Sequence, residues 1–211
     1  MMTAHAVLSR RAALVLSAIG MPLLLAGCAG EEVLQVFPPL TYGYLTKLRL
    51  DVATIDVAEA WTPAPVPNGE HVEDQSPVQP VEALRRMVQD RLVPAGASGS
   101  ATVTIDDASL VRQTDRFEAA FAVHMDIHNA DGTRTGYAEA RVARTRTITD
   151  YAPPAVHQAL YDLVKATMND MNVEFEYQIR RSLKDWLQTS APAAPVPPPV
   201  EQQPLGTPPK S

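Results

Sequence analysis

Phe117-Glu118-Ala119-Ala120-Phe121-Ala122-Val123-His124-Met125-Asp126-Ile127-His128 is the stretch whose reading decides the fold. Six apolar side chains, Phe117, Ala119, Phe121, Val123, Met125 and Ile127, occupy alternate positions. Alternation with period two marks a strand with one buried face. Asn129-Ala130-Asp131-Gly132 follows, and Asp131-Gly132 is a strong hairpin signal. The return strand buries Ala138, Ala140 and Val142, which are even positions facing odd ones. That pairing requires a turn of two or four residues. The small alanines leave room for a helix to lie close against the sheet.

Downstream, Pro153 and Pro154 suit the first turn of a helix running to about Trp186. Its stripe is Leu160, Val164, Met168, Met171, Phe175, Ile179, Leu183 and Trp186, at steps of three or four. At 1.5 Å per residue the helix is roughly 50 Å long, so it should overhang strands of eight to ten residues. Phe175, Ile179, Leu183 and Trp186, on the distal turns, then need cover. Either the segment around Val33 to Tyr44 covers them, or they bind a protein or lipid partner.

Upstream, Leu48, Leu50 and Val52 alternate with polar residues, and the parity shifts to Ile55 and Val57, which predicts one strand bulged near Ala53-Thr54. A proline-rich loop spans Thr62 to Gln79. Pro80 opens a helix with Val81, Leu84, Val88 and Leu92 on one stripe, ended by Pro94 and Gly96. A strand with Ala101, Val103 and Ile105 inward flips parity at Asp106-Asp107, again a bulge signal. The order β-α-β-β-β-α predicts an α+β two-layer sandwich, with an antiparallel sheet of about four strands packed by one short and one long C-terminal helix.

The N-terminus carries a different message. Arg10 and Arg11 precede an apolar run from Ala12 to Leu25, about fourteen residues interrupted by Gly20 and Pro22. That is short for a bilayer span and reads as a cleaved export signal over residues 1–27. It ends at Leu25-Ala26-Gly27-Cys28, whose cysteine is the only one in the chain. These residues resemble the lipobox of bacterial lipoproteins. The resemblance implies that Cys28 is acylated, with palmitate, and becomes the mature N-terminus. Several chains at about 0.8 kcal/mol per buried CH₂ would hold the protein on a membrane. Ala29, in place of an inner-membrane-retaining aspartate, implies the outer membrane, facing the periplasm. Ser9-Arg10-Arg11 also resembles a twin-arginine signal, with Ala13 where an aromatic residue is usual.

Beyond the signal, residues 28–44 read as a tether, 45–188 as the folded domain and 189–211 as a proline-rich, disordered tail. Eight prolines fall in residues 191–211. The tail is a spacer, an arm reaching the cell wall, or an unstructured end. The layout is similar to the auxiliary lipoproteins of ABC-type transport systems and to the lipopolysaccharide-assembly lipoprotein. Pro80-Val81-Glu82-Ala83, Asp107-Ala108-Ser109 and Arg144-Thr145-Arg146-Thr147 resemble stretches of a group of alphaproteobacterial lipoproteins. Membership would imply the fold without an activity.

Composition narrows the partners. Of 211 residues, 18 are Lys or Arg and 24 are Asp or Glu, for a formal charge of −6. Loss of Arg10 and Arg11 with the signal takes this to −8. Such a balance argues against nucleic acid, whose phosphates need clustered cations. A sole cysteine allows no disulfide, so stability must come from a packed core, which 45% apolar residues can supply.

Few residues suggest chemistry. His124, Asp126 and His128 share one strand face with the spacing of a metal site, or simply of a solvated face. Arg134, Arg141, Arg144 and Arg146 concentrate positive charge where a lipid phosphate or acidic loop would dock, although Arg141 has the opposite parity. Glu118 and Glu139 are candidate partners for them. His71, Glu73 and Asp74 sit on a loop long enough to be a lid, without a recognisable nucleophile beside them. Trp61 and Trp186 read as packing residues. No cofactor or phosphate-binding loop is indicated. The expected function is a non-enzymatic accessory or assembly factor of the cell envelope, binding a protein or lipid. The alternatives are a metal-binding or hydrolytic envelope protein using the His124, Asp126 and His128 strand face, and a structural cell-wall tether.

Overall fold

Three strands of thirteen residues each, joined by tight connections, form the centre of the computed structural model, which describes residues 35–188. Lipidation at Cys28, the signal and the proline-rich tail lie outside the described residues. In chain order the elements are β1 (Leu48–Leu50), β2 (Thr54–Glu59), β3 (Glu70–His71), α1 (Pro80–Arg91), β4 (Leu92–Pro94), β5 (Ser100–Arg112), β6 (Arg116–His128), β7 (Thr135–Thr147) and α2 (Pro153–Ser182). Short 3₁₀ turns occupy Glu73–Gln75 and Lys184–Trp186.

β5, β6 and β7 are antiparallel neighbours. The alternation in β6 places Phe121 opposite Val142, Val123 opposite Ala140 and Met125 opposite Ala138. The hairpin closes with Asn129 N–H donating to the Arg134 carbonyl at 3.1 Å, leaving the four residues 130–133 in the turn. Gly132 takes φ +70°, a conformation that favours glycine. The β5 register shifts between Ile105 and Asp107, where the parity flip predicts a bulge.

The N-terminal strand reading needs correction. Instead of one bulged strand, the chain breaks at Asp51–Ala53 into β1 and β2, which belong to different sheets. β1 pairs with β4 in a two-stranded parallel sheet. β2 pairs with β5, and that pairing is parallel, so the main sheet is mixed rather than antiparallel. The cause is topological: strand, helix and strand in sequence make a crossover, which returns the chain in the same direction. β3 adds to the far end of the same β5 edge, giving the main sheet five strands. Between β2 and β3, Pro63, Pro65 and Pro67 lack the N–H groups that would continue pairing.

Both helices cover one face of the sheet. α2 lies on β6 and β7, over Ala138 and Ala140, and α1 lies over β5. At 30 residues α2 is about 45 Å long, and strands of 13 residues reach about 43 Å. The helix therefore matches the sheet and does not overhang it. Phe175, Ile179, Leu183 and Trp186 are all at most 4% exposed. They belong to the core cluster with Leu48, Leu50 and Tyr42, and Leu50 bridges to Leu187. The chain itself covers the distal stripe, through β7 at Gly136 and through the core cluster that includes β1, and the reading of these four residues as a partner-binding surface is corrected accordingly.

Candidate functional site

The sheet face away from the helices carries the polar residues. His124 is placed there by its even position in β6, and the β5 bulge turns Asp106 toward it. His124 Nδ1 lies 2.6 Å from Asp106 Oδ2, and Nε2 lies 3.4 Å from Asp126 Oδ2. The ring stacks on Tyr137 of β7, with centroids 5.7 Å apart. The Tyr137 hydroxyl donates to Glu139 at 3.2 Å, and Glu139 pairs with Arg141. Burial and the Glu139 hydrogen bond raise the phenol's pKa, while the Arg141 hydrogen bond lowers that of Glu139.

His128 does not join this cluster. Its Nε2 lies 2.9 Å from Ser100 Oγ, and its Nδ1 lies 3.2 Å from the Asn129 carbonyl. With Nδ1 donating to that carbonyl, Nε2 accepts from the serine hydroxyl. The pair has the hydrogen bond of a nucleophile and its base, but His128 is exposed and no carboxylate orients it. The structure thus separates the three residues of the metal-like spacing between two networks. Among the described residues, no group of three His, Cys, Asp or Glu side chains is arranged to hold a metal ion.

The four arginines of the return strand are each engaged within the chain. Arg144 pairs with Asp170 and Arg146 with Asp162, clamping β7 to α2. Arg141 faces the opposite side and pairs with Glu139. Arg134 sits 4.0 Å from the Trp186 ring and donates to the Asp185 carbonyl at 2.6 Å. Glu118 takes Arg116 instead of any of the four. Their shared setting is structural.

His71 is a clamp on the proline-rich loop. Its Nδ1 is 2.8 Å from Glu73 Oε1, and its Nε2 is 2.7 Å from the Ala64 carbonyl. Both partners are acceptors, so both bonds require the imidazolium. The Glu73 and Ala64 hydrogen bonds accordingly raise the His71 pKa. Glu73 also accepts the Leu110 N–H at 2.7 Å, tying the clamp to β5. Asp74 is exposed beside it. Trp61 meets His71 edge-on at 6.3 Å and lines a cavity of about 350 Å³ with Pro65, Asp107 and Ser109.

Arg91 is the residue that periodicity alone misses. A charged side chain on α1 reads as solvated, yet Arg91 is 1% exposed. Its guanidinium donates to the Thr46 carbonyl, to Asn172 and to Glu176, joining the entry segment, α1 and α2.

No family model and no curated protein matches the sequence. The fold does find similar solved structures. One is a Xanthomonas campestris protein of the DUF330 family, 12% identical, covering 70% of this chain and 94% of its own, with a TM-score of 0.37. Another is a Caulobacter crescentus protein described as a lipoprotein, 16% identical, covering 60% and 88%, with a TM-score of 0.34. A third is rare lipoprotein B from Shewanella oneidensis, 8% identical, covering 61% and 95%, with a TM-score of 0.35. At these scores the likeness is partial and identifies neither family nor function.

Proposed function

We propose that this chain is a lipid-anchored, non-catalytic accessory protein of the bacterial cell envelope, held through Cys28 on the periplasmic face of the outer membrane, whose domain works by binding. The observation that carries the proposal is Leu25-Ala26-Gly27-Cys28 at the end of an apolar run preceded by Arg10 and Arg11. It is supported by the settings of the polar side chains, whose ion pairs fasten one element to another, as Arg144 does with Asp170. Mass spectrometry of the membrane-extracted protein should find Cys28 at the N-terminus and acylated. Cys28→Ala should release the domain from the membrane fraction or leave it unprocessed, and Ala29→Asp should shift it toward the inner membrane. An unmodified Cys28 would overturn the anchor.

Of the hydrolytic alternative built on His124, Asp126 and His128, the structure leaves only His128 beside a hydroxyl, that of Ser100, at 2.9 Å. A fluorophosphonate probe should leave Ser100 unlabelled. Stoichiometric labelling, lost in His128→Ala, would replace binding with catalysis as the domain's role.

A further inference from the structure

β1 and the C-terminal end of α2 form a cleft of about 360 Å³, a size suited to a small ligand. Four cationic side chains line it: Lys47 just before β1, Arg49 in β1, Arg180 from the last turn of α2, and Lys184 from the 3₁₀ turn. Thr46 adds a hydroxyl. No acidic residue is among the lining residues described, in a chain whose formal charge is −6.

β1, which carries Arg49 and directly follows Lys47, is fixed in place. Leu48 and Leu50 are fully buried beside Arg49. Gln188 N–H donates to the Arg49 carbonyl at 2.9 Å, and Asp51 N–H to the Trp186 carbonyl at 2.8 Å. These bonds hold β1 against the end of α2, so the two sources of charge face one cleft.

Their charge is largely uncompensated. Arg49 and Lys184 make no ion pair or side-chain hydrogen bond among the described residues. Lys47 donates to the Asp90 carbonyl, and the Asp90 carboxylate takes the Tyr42 N–H instead. Arg180 pairs with Glu176, which also serves Arg91. By contrast, Arg85, Arg112, Arg116, Arg144 and Arg146 each have a carboxylate. Arg86 and Lys165 lack one but line separate cavities, and Arg134 and Arg181, also without one, do not line this cleft. The helix dipole accounts for cations such as Arg180 at the end of α2. It does not account for Lys47 and Arg49, which come from a different element.

We infer that this cleft binds a phosphate-bearing anion, either a lipid headgroup or a free organic phosphate. Two guanidinium forks suit the oxygen geometry of phosphate, and two ammonium groups add point charges around it. A bound dianion would relieve the repulsion among four convergent cations. The inference goes beyond the envelope reading and does not depend on acylation of Cys28.

Calorimetry on the full chain in a neutral detergent tests it, in buffer free of phosphate. Inorganic phosphate and glycerol 3-phosphate are titrated in one arm, and mixed micelles carrying phosphatidic acid or phosphatidylcholine in the other. Binding of the soluble phosphates assigns the site to free phosphate; binding of phosphatidic acid alone assigns it to a headgroup; both support the inference. Arg49→Gln and Lys184→Gln, at exposed positions, should each weaken binding about tenfold. Arg86→Gln and Lys165→Gln should leave it unchanged. Absence of binding in both arms, or equal weakening by all four substitutions, would overturn the assignment. Neither result bears on whether Cys28 is acylated.

Discussion

Arg91 Nη1 lies 3.1 Å from Asn172 Oδ1 and 3.2 Å from the Asn172 carbonyl, so a cation on α1 is bound by two oxygens of a single residue on α2. Both side chains are buried, and Glu176 closes the network on the solvent side. Removing one partner of such a set leaves the other unsatisfied, which costs more than the interaction itself contributes. Arg91→Met should therefore lower the unfolding free energy by about 2–4 kcal/mol. Arg91→Met with Asn172→Leu removes both partners and should recover part of that loss. Denaturant unfolding measures both. A double variant no more stable than the single one would mean that Arg91 acts only through Glu176.

The Tyr42 hydroxyl is the reverse case. The residue is 3% exposed, and its oxygen has no hydrogen-bond partner among the described residues. Burial pushes its pKa well above the usual phenol range, with smaller contributions from Tyr44 and Asp90. A buried polar group without a partner costs about 1–3 kcal/mol, and Phe keeps the ring while removing that group. Tyr42→Phe should raise the unfolding free energy by about 1 kcal/mol, read from denaturant midpoints at unchanged slope. A destabilised Phe variant would reveal a water-mediated partner for the hydroxyl.

These two residues also mark where sequence reading stops. Period-two and period-3.6 patterns located β5, β6, β7, α1 and α2, because each buries one face against the same core. They misplaced β1 and β2, since Leu48, Leu50, Val52, Ile55 and Val57 alternate plausibly as one strand. Nothing in that pattern says that the chain changes sheets at Asp51–Ala53. The order strand–helix–strand did carry the signal for parallel pairing of β2 with β5, through its crossover. Arg91 and the cleft at Arg49 and Lys184 depend on contacts between residues far apart in sequence. The spacing of His124, Asp126 and His128 was legible, but their division between Asp106 and Ser100 follows from a bulge and a neighbouring strand.

Gly136 of β7 packs closely against the residues that follow α2. A Cβ there would lie 2.6 Å from Leu183 Cδ2, 2.8 Å from Trp186 Nε1 and 2.9 Å from Ile127 Cγ2. All three neighbours are buried, so none has free space to move into. Relief of backbone entropy by alanine stabilises by about 0.4–1 kcal/mol. Overpacking a core costs about 1–3 kcal/mol, and the larger effect wins. Gly136→Ala should lower the melting temperature and alter Trp186 fluorescence, because Trp186 must shift beneath Arg134. Unchanged fluorescence with unchanged stability would place the 3₁₀ turn elsewhere.

His71 makes the domain's stability depend on pH with a defined sign. Its charged form donates to Glu73 and to the Ala64 carbonyl, with Asp107 adding attraction, so its folded pKa lies above the ordinary value near 6.5. The folded state then holds its proton more tightly than the unfolded state. The resulting stabilisation is fully present below the unfolded pKa and is lost as pH rises through the folded one. His71→Phe keeps a ring against Trp61 and removes the titration. The melting temperatures of the two proteins should differ most below about pH 6.5 and converge in alkali. A direct check is the imidazole resonance, whose midpoint should lie above that of a free histidine. A gap between the melting curves that stays constant across this range would mean that His71 holds the loop by packing alone.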